Sequence, residues 1–193
     1  LDGLRERGFV DPVKMVTTYP SLFSLSIQTI DAKLEGLREC GFADPVKMVI
    51  RAPTLLGLGT ENVDATLEHL RERGFTDAPK LGTSSPQILG YALKSIDAKL
   101  DGLRERGFTD PVKLVTRTPA ILGYALKTID KRMRYFSRLF GAENCLGLME
   151  RYAILWPTKI DKMMTVARAL YIKTGSVDSR LFCNSLMKNL DEF

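Results

Sequence analysis

Basic side chains are the residues of this sequence whose types and spacing could do chemistry. Four lysines recur at one constant interval, and they are Lys14, Lys47, Lys80 and Lys113. One helical turn further along, two of the four copies carry an arginine, at Arg51 and Arg117. Because residues three and four apart share a helix face, stacked copies would line up a basic stripe that could follow a phosphate backbone. A solvated face, balanced by acidic helices, explains the same lysines.

A second basic cluster interrupts the repetition, in the segment "KRMRYFSR". Its basic residues are Lys131, Arg132, Arg134 and Arg138. In the preceding copy the last two of these positions hold acids, Asp101 and Glu105. Arginine presents a planar fork that suits phosphate contact, and a positive surface attracts polyanions by releasing their counterions. We therefore expect nucleic-acid contact here rather than a plain solvated face. The basic residues that continue this surface are Arg151, Lys159 and Lys162.

The distribution of charge places the basic excess in the last third of the chain. The formal net charge is +5. Residues 1–130 contain 17 lysines and arginines and 17 acids, whereas residues 131–193 contain 11 and 6.

Within the basic cluster we expect Phe136 to lie in the core, and Tyr135 either to stack on a base or to cover the helix.

Catalysis has little support, and we expect neither an enzyme nor a cofactor or metal. His69 is the only histidine, which excludes a histidine-based triad and a site with several histidines within the chain. We expect His69 on a helix surface, and Cys40, which stands where other copies have arginine, as a surface thiol. One aspartate recurs in each copy, which predicts a structural role between repeats rather than a catalytic carboxylate pair. These aspartates are Asp31, Asp64, Asp97 and Asp130.

Cysteine usage and apolar content bear on the location of the protein. Three scattered cysteines without a Cys-x-x-Cys spacing predict a reducing, intracellular setting. No stretch of about 18 apolar residues occurs, so we expect no transmembrane helix and no membrane partner. Leu1 matches leucines inside the later copies, so we expect the chain to begin within a repeat, where a targeting leader could precede it.

The constant interval predicts the architecture that must position these side chains. The pair Gly-Phe occurs four times at this interval, beginning at Gly8, and so does a proline, beginning at Pro20. A fixed period of about 33 residues predicts a solenoid, in which each unit buries its apolar face only against its neighbours. The signatures of ankyrin and tetratricopeptide repeats are absent.

One unit has the pattern of two helices with a tight turn between them. Asp110 is a suitable N-cap, and Pro111 follows at the first helical position, where no N–H is needed. The short helix must stop before Pro119, and the apolar turn "PAILG" follows. The long helix has apolar residues at three- and four-residue steps, and it ends at a glycine such as Gly41, with Phe42 folding back on the last turn.

The string "GFADPVKMVIRAPTLLGLGTENVDATLEHLRERG" and its copies resemble the mitochondrial transcription termination factor (mTERF) family over roughly residues 1–141. That resemblance implies an all-α helical-repeat solenoid of about five units, each with a short helix, a Pro-Leu-rich 3₁₀ turn and a longer helix. These repeats are more alike than is usual in that family. In the third repeat, Pro79 and Gly82 are expected to weaken the short helix.

The repeat pattern divides the chain into three parts of a single continuous solenoid domain. Residues 1–141 form four clear repeats, the first of them truncated. Residues 142–175 form a divergent fifth repeat, with Pro157, Ile160-Asp161 and Gly175 as its markers at shifted spacings. Residues 176–193 form a C-terminal capping helix, because the last unit of a solenoid must shield its neighbour from water.

The resemblance also implies a function. It implies binding of double-stranded DNA or structured RNA in a mitochondrion or other organelle, with an effect on transcription, translation or ribosome assembly. Near-identical repeats favour uniform contact with the phosphate backbone over a base-by-base code. A protein-interaction scaffold without nucleic-acid contact is the alternative, since residues 1–130 are electrically neutral.

Overall fold

The computed structural model of the protein describes residues 1–187, apart from the side chains of Ile154 and Met187. Its helices are α1 (Asp2–Glu6), α2 (Pro12–Thr18), α3 (Ile27–Glu39), α4 (Pro45–Arg51), α5 (Thr60–Glu72), α6 (Ala78–Ser84), α7 (Leu93–Glu105), α8 (Pro111–Arg117), α9 (Leu126–Phe140), α10 (Ala142–Arg151), α11 (Ile160–Thr174) and α12 (Ser179–Met187). The 3₁₀ turns are Pro20–Ser24, Pro53–Gly57, Pro86–Gly90, Pro119–Gly123 and Ala153–Leu155. Residues 1–187 contain no β-strand, and the predicted order of short helix, 3₁₀ turn and long helix is confirmed.

The short helices begin where the sequence predicts, because each has a side-chain cap. The carboxylate of Asp110 accepts a hydrogen bond from the backbone N–H of Lys113 at 2.9 Å, and Pro111 occupies the first helical position. The same cap recurs at Asp11, Asp44 and Asp77. Helix α6 reaches the same length as the others despite Pro79 and Gly82.

The long helices end in a repeated hydrogen-bonded motif. At Gly41, φ is +92°, a conformation that a side chain would strain. The N–H of Gly41 donates to Arg38 O at 2.9 Å, and that of Phe42 donates to Leu37 O at 3.1 Å. This pair of bonds defines a Schellman motif, and it brings the buried ring of Phe42 back onto the helix end.

Three of the four recurring aspartates join consecutive repeats, as predicted. Arg106 follows α7, and its guanidinium donates to both carboxylate oxygens of Asp130 on α9, at 2.6 and 3.0 Å. Arg73 binds Asp97 in the same bidentate way, and Arg7 binds Asp31. Hydrogen bonding from Arg106 lowers the pKa of Asp130. Among residues 1–187 Asp64 has no such partner, because the corresponding position holds Cys40.

The fifth repeat has a different register from the predicted one. Helices α9 and α11 both span 15 residues and end at a glycine with positive φ, Gly141 or Gly175. The offset between these two helices is therefore one position longer than the interval of the earlier repeats. Buried Met163 takes the place of Ile129, and Ile160 that of Leu126.

Two predicted markers of the fifth repeat do not hold in this register. The predicted equivalence of Ile160-Asp161 to the earlier Ile-Asp pairs is wrong, because Ile160 is the first residue of α11. Likewise, Pro157 follows the 3₁₀ turn instead of starting it. The repeat thus keeps its helices but has lost the proline that starts the turn in the other four.

The capping helix is found as α12, although residues 188–193 of the predicted segment lie outside the described residues. Phe182 of α12 is fully buried, with its ring centroid 5.4 Å from that of Phe140 and 6.4 Å from that of Phe136. The chain separates into two compact units, Leu1–Asp97 and Ala98–Phe193. A single continuous domain stays a prediction. Within residues 1–187, no helix combines the length and the apolar character needed to cross a membrane.

Candidate nucleic-acid interface

The four periodic lysines lie at one position of the short helices, three residues after the capping aspartate. All four are exposed, and no ion pair involves their side chains within residues 1–187: Lys14, Lys47, Lys80 and Lys113. The first three belong to the Leu1–Asp97 unit and the fourth to the other unit. Their charges are therefore available to solvent or to a partner.

The two arginines one turn further along already have partners within the protein. Arg51 donates to the carbonyls of Thr83 and Ser84 at the end of α6, both at 3.0 Å. Arg117 donates in the same way to Glu150 and Arg151 at the end of α10, at 3.0 and 2.9 Å. The last carbonyls of a helix have no intrahelical donor and carry a partial negative charge. These guanidinium groups therefore join repeats, and phosphate contact by them stays a prediction.

A groove of about 580 Å³ lies between α8 and α10. Its basic lining residues are Lys113, Arg117 and Arg151. Glu150 also lines the groove, and its carboxylate accepts a hydrogen bond from the backbone N–H of Thr109 at 3.0 Å. The groove thus collects three predicted residues from two consecutive repeats, Lys113, Arg117 and Arg151, and Arg117 is already used in the joint between them.

The outer face of α9 is the most basic surface of any long helix. Four exposed residues spaced by four, three and four positions form one stripe on it, which we call the α9 stripe: Lys127, Lys131, Arg134 and Arg138. Lys127 was missed by the sequence analysis, although this spacing could have identified it. The only acid of α9 is Asp130, which is bound by Arg106.

The equivalent faces of the earlier long helices carry neutralised charge. Each has an ion pair within the helix between residues three apart, as between Arg104 and Asp101 at 2.7 Å. The other two pairs are Arg38 with Glu35 at 2.7 Å and Arg71 with Glu68 at 3.0 Å. In α9, Arg134 and Ser137 replace the members of this pair. Neither Arg134 nor Arg138 forms an ion pair with a carboxylate of residues 1–187.

A comparison with protein families now identifies the repeat. The sequence model of the mTERF family matches residues 6–147, which include the short helices and the whole α9 stripe. The chain belongs to the mTERF family. It is therefore a helical-repeat protein of a family that generally binds nucleic acid. Among curated proteins, no match is found.

Arg132 does not belong to the exposed surface of this mTERF-family protein, so its predicted place there is wrong. The residue is 6% exposed, and its guanidinium donates to the carbonyls of Leu155 and Thr158, both at 2.8 Å. It also lies over the ring of Tyr124, 5.4 Å from the centroid, and burial lowers its pKa. Its Nε is buried without a hydrogen-bond partner.

The sequence contained a signal for the buried position of Arg132. At one and three repeats earlier, the equivalent residues are Lys99 and Lys33, which donate to the carbonyls of Tyr124 and Leu58. A cation at this place therefore joins a long helix to the chain that follows the next 3₁₀ turn. Arg132 lies one repeat after Lys99, so it occupies the same position of the repeat.

The remaining predicted residues are exposed, and the two aromatic residues of the cluster are packed. Arg151, Lys159 and Lys162 are exposed, with Lys159 at the start of α11. Phe136 is fully buried, as predicted. Tyr135 is half-buried, meets Phe136 edge-on with centroids 5.5 Å apart, and has a buried hydroxyl without a partner. Burial raises the pKa of Tyr135 to about 12. These contacts favour the role of covering the helix.

His69 and Cys40 both differ from the expected surface residues. The His69 side chain is 12% exposed, and its Nε2 lies 2.9 Å from the Asp97 carboxylate that Arg73 also binds. His69 replaces a helix glycine found at Gly36 and Gly102, so the prediction of a surface histidine is wrong. Cys40 is half-buried, and burial, together with the charge of Asp64, raises its pKa. Residues 1–187 contain no group of three or more His, Cys, Asp or Glu that could hold a metal ion.

Proposed function

We propose that the protein binds the phosphate backbone of double-stranded DNA or structured RNA through the α9 stripe, with the lysines of the short helices as additional contacts. One observation carries the proposal. The positions that hold acids on α3, α5 and α7 hold Arg134 and Arg138 on α9, and neither arginine forms an ion pair with a carboxylate of the described residues, although the charge of Arg134 helps to lower the pKa of Asp130. Unpaired guanidinium groups at regular spacing suit phosphate oxygens.

The earlier long helices offer no free positive charge to a polyanion at the same positions. Their outer faces carry the pairs Glu35 and Glu39, Glu68 and Glu72, and Asp101 and Glu105. Nucleic acid would therefore approach the Ala98–Phe193 unit by its α9 face. The Leu1–Asp97 unit would add contacts only through the lysines of its short helices.

Backbone contact is favoured over recognition of individual bases. The short-helix positions that vary between repeats are Thr18, Arg51, Ser84 and Arg117. The two arginines among them use their guanidinium groups on backbone carbonyls of the next repeat. Phosphate contacts fix position and affinity but carry no sequence information. Binding that depends on nucleic-acid shape more than on sequence follows from this arrangement.

The family relation supports a role in organelle gene expression, in transcription, translation or ribosome assembly, with the mitochondrion as one location. We also propose that the protein acts by binding and catalyses no reaction. The only histidine is packed against Asp97 and Arg73, where it serves the joint between repeats. A protein scaffold that makes no nucleic-acid contact is the alternative that the binding experiment must exclude.

The test is the salt dependence of binding to labelled duplex DNA, an RNA hairpin and single-stranded DNA, measured by fluorescence anisotropy. The variant Arg134→Asp with Arg138→Glu gives α9 the acids of α7. Each phosphate contact contributes about 0.9 to the slope of log affinity against log salt. The double variant should therefore flatten the slope by about 2 for the preferred nucleic acid.

A matched control separates the stripe from the net charge. Arg38→Glu with Arg71→Glu makes the same change in net charge on exposed arginines of α3 and α5. This variant should keep the wild-type slope within about 0.5, since it removes no proposed contact. An equal loss of slope in both variants would show that binding depends on net charge and not on the α9 stripe. Absence of binding at 50 mM salt to all three probes would refute the proposal.

A further inference from the structure

The outer face of α11 carries exposed apolar side chains among its polar ones, unlike that of any long helix before it. Three large apolar side chains on this face are well exposed: Met164 at 41%, Tyr171 at 63% and Ile172 at 84%. Tyr171 and Ile172 follow Met164 by seven and eight residues. Residues four, seven and eight apart lie on one side of a helix. These three side chains, with Arg168 between them, form what we call the α11 face.

The α11 face occupies the positions that hold ionic groups in the preceding repeat. With the longer offset of this repeat, Met164 corresponds to Asp130, which binds Arg106, and Ile172 corresponds to Arg138. Tyr171 corresponds to Ser137. A clustered replacement of ionic and polar side chains by exposed apolar ones is typical of a binding surface.

Nothing among the described residues covers the α11 face. Helix α12 packs on α11, but its buried side chains belong to the core: Phe182, Cys183 and Leu186. The ring of Phe182 lies against those of Phe136 and Phe140. The terminal helix therefore shields the core and leaves the α11 face open.

The charge of the α11 face defines the chemistry of its partner. Arg168 lies between Met164 and Tyr171, is exposed, and has no partner among residues 1–187. The only acid of α11 is Asp161, which lies two turns before Arg168 at the edge of the face, and the adjacent Lys162 balances its charge. A second copy of the chain is disfavoured, because a two-fold axis through the centre of the face would bring the two Arg168 side chains together. A partner that supplies a carboxylate meets no such repulsion.

We propose that the α11 face binds an acidic, amphipathic segment of another protein. Apolar side chains of the segment pack on Met164, Tyr171 and Ile172, and a carboxylate pairs with Arg168. Tyrosine and arginine are the residue types that dominate binding energy at protein interfaces when a partner removes them from water. This proposal is independent of nucleic-acid binding by α9, since it uses none of the residues of the α9 stripe.

Photo-crosslinking of the full chain tests the proposal. The photoreactive amino acid p-benzoylphenylalanine replaces Ile172, and the purified protein is irradiated in an extract of the cells from which it comes. The cross-linked peptide is then sequenced by mass spectrometry. We expect a protein segment with apolar residues and Asp or Glu at helical spacing. The yield of this cross-linked adduct should fall at least fivefold when Arg168→Glu is added. It should stay within twofold of the original yield when Arg168→Lys is added.

The repeats supply a matched control and clear contrary outcomes. The same amino acid at Glu105, the equivalent exposed position on α7, should give no such adduct. An adduct to nucleic acid, to a second copy or to the chain itself would overturn the proposal. The absence of any adduct would also overturn it. A yield that Arg168→Glu leaves unchanged would do the same, provided that this variant keeps the wild-type circular dichroism spectrum. Salt-dependent binding of oligonucleotides should not change with Arg168→Glu, which keeps the two proposals separate.

Discussion

Helices α7 and α9 occupy equivalent places in consecutive repeats, but the outer face of α7 has balanced charge whereas that of α9 is basic. Both use an aspartate, Asp97 or Asp130, to bind the arginine that ends the preceding long helix. Beyond that shared contact, Asp101 and Glu105 of α7 become Arg134 and Arg138 of α9. The difference teaches that joints between repeats constrain a few positions, while the outer positions are free to acquire a function.

Arg132 and Arg134 lie two residues apart on α9 and should separate structural from functional cations. Arg132→Met leaves the carbonyls of Leu155 and Thr158 without donors in the core, which should lower the free energy of unfolding by about 2–4 kcal/mol. Arg132→Lys should recover part of the loss, because lysines serve this place in earlier repeats. Arg134→Met should change stability by less than about 0.5 kcal/mol. Urea unfolding measures all three, and equal effects at the two sites would contradict the distinction.

The basic outer face of α9 should be transferable to α7. Asp101→Arg with Glu105→Arg gives α7 the outer face of α9 and breaks the ion pair with Arg104. If the outer faces govern nucleic-acid binding, the slope of log affinity against log salt should steepen by about 2. Anisotropy titrations at several salt concentrations check this. An unchanged slope would show that α7 cannot reach the nucleic acid and would confine contact to α9.

The joint at Cys40 should be weaker than its equivalents. Cys40→Arg places a guanidinium opposite Asp64, as Arg106 lies opposite Asp130, and should stabilise the protein by up to about 1 kcal/mol at low salt. The gain should shrink at high salt because exposed ion pairs are screened. Unfolding curves at both salt concentrations measure it, with Cys40→Ala as the control for loss of the thiol. A gain that does not depend on salt would point to packing instead.

Acidic pH should lower the stability of the protein by a smaller amount, and part of that loss can be assigned to the joint at Asp97. Hydrogen bonds from Arg73 and then His69 lower the pKa of Asp97 to about 2, below its ordinary value near 4. A carboxyl with a lowered pKa adds stability above its unfolded pKa, and that stability is lost as the pH falls from about 4 to about 2. Asp97→Asn should therefore reduce the loss of stability in this window. Thermal unfolding between pH 2 and pH 5 measures it, and identical pH profiles would exclude the contribution.

Local rules made most of the fold predictable from sequence. Asp110 and Pro111 start α8, and Gly107 ends the helix before it, because capping depends on atoms within a few residues of each other. The fifth repeat was misaligned because it has lost the proline at the start of its 3₁₀ turn, where Ala153 stands. Without that marker, the nearby Ile160-Asp161 was mistaken for the repeated pair.

The candidate site was only partly predictable, because exposure depends on distant partners. Arg132, Arg51 and Arg117 have the same chemistry as Arg134, but their guanidinium groups donate to carbonyls in the following repeat. The period relates Arg132 to Lys99, but the hydrogen bond from Lys99 to the carbonyl of Tyr124 exists only in the folded protein. The period could not indicate that His69 would turn toward Asp97, since no other repeat has a histidine there.

The sequence by itself determined the repeat, the helix ends and the location of the basic excess, since all three follow from interactions within one turn or from composition. The tertiary structure alone decided which cations are free. A positive charge near carbonyls of the next repeat stabilises the joint and is withdrawn from solvent, whereas one on the outer face keeps its charge for a partner. Arg132 and Arg134, two positions apart, differ for this reason: one points into a stacked neighbour that only folding creates, and the other points to water.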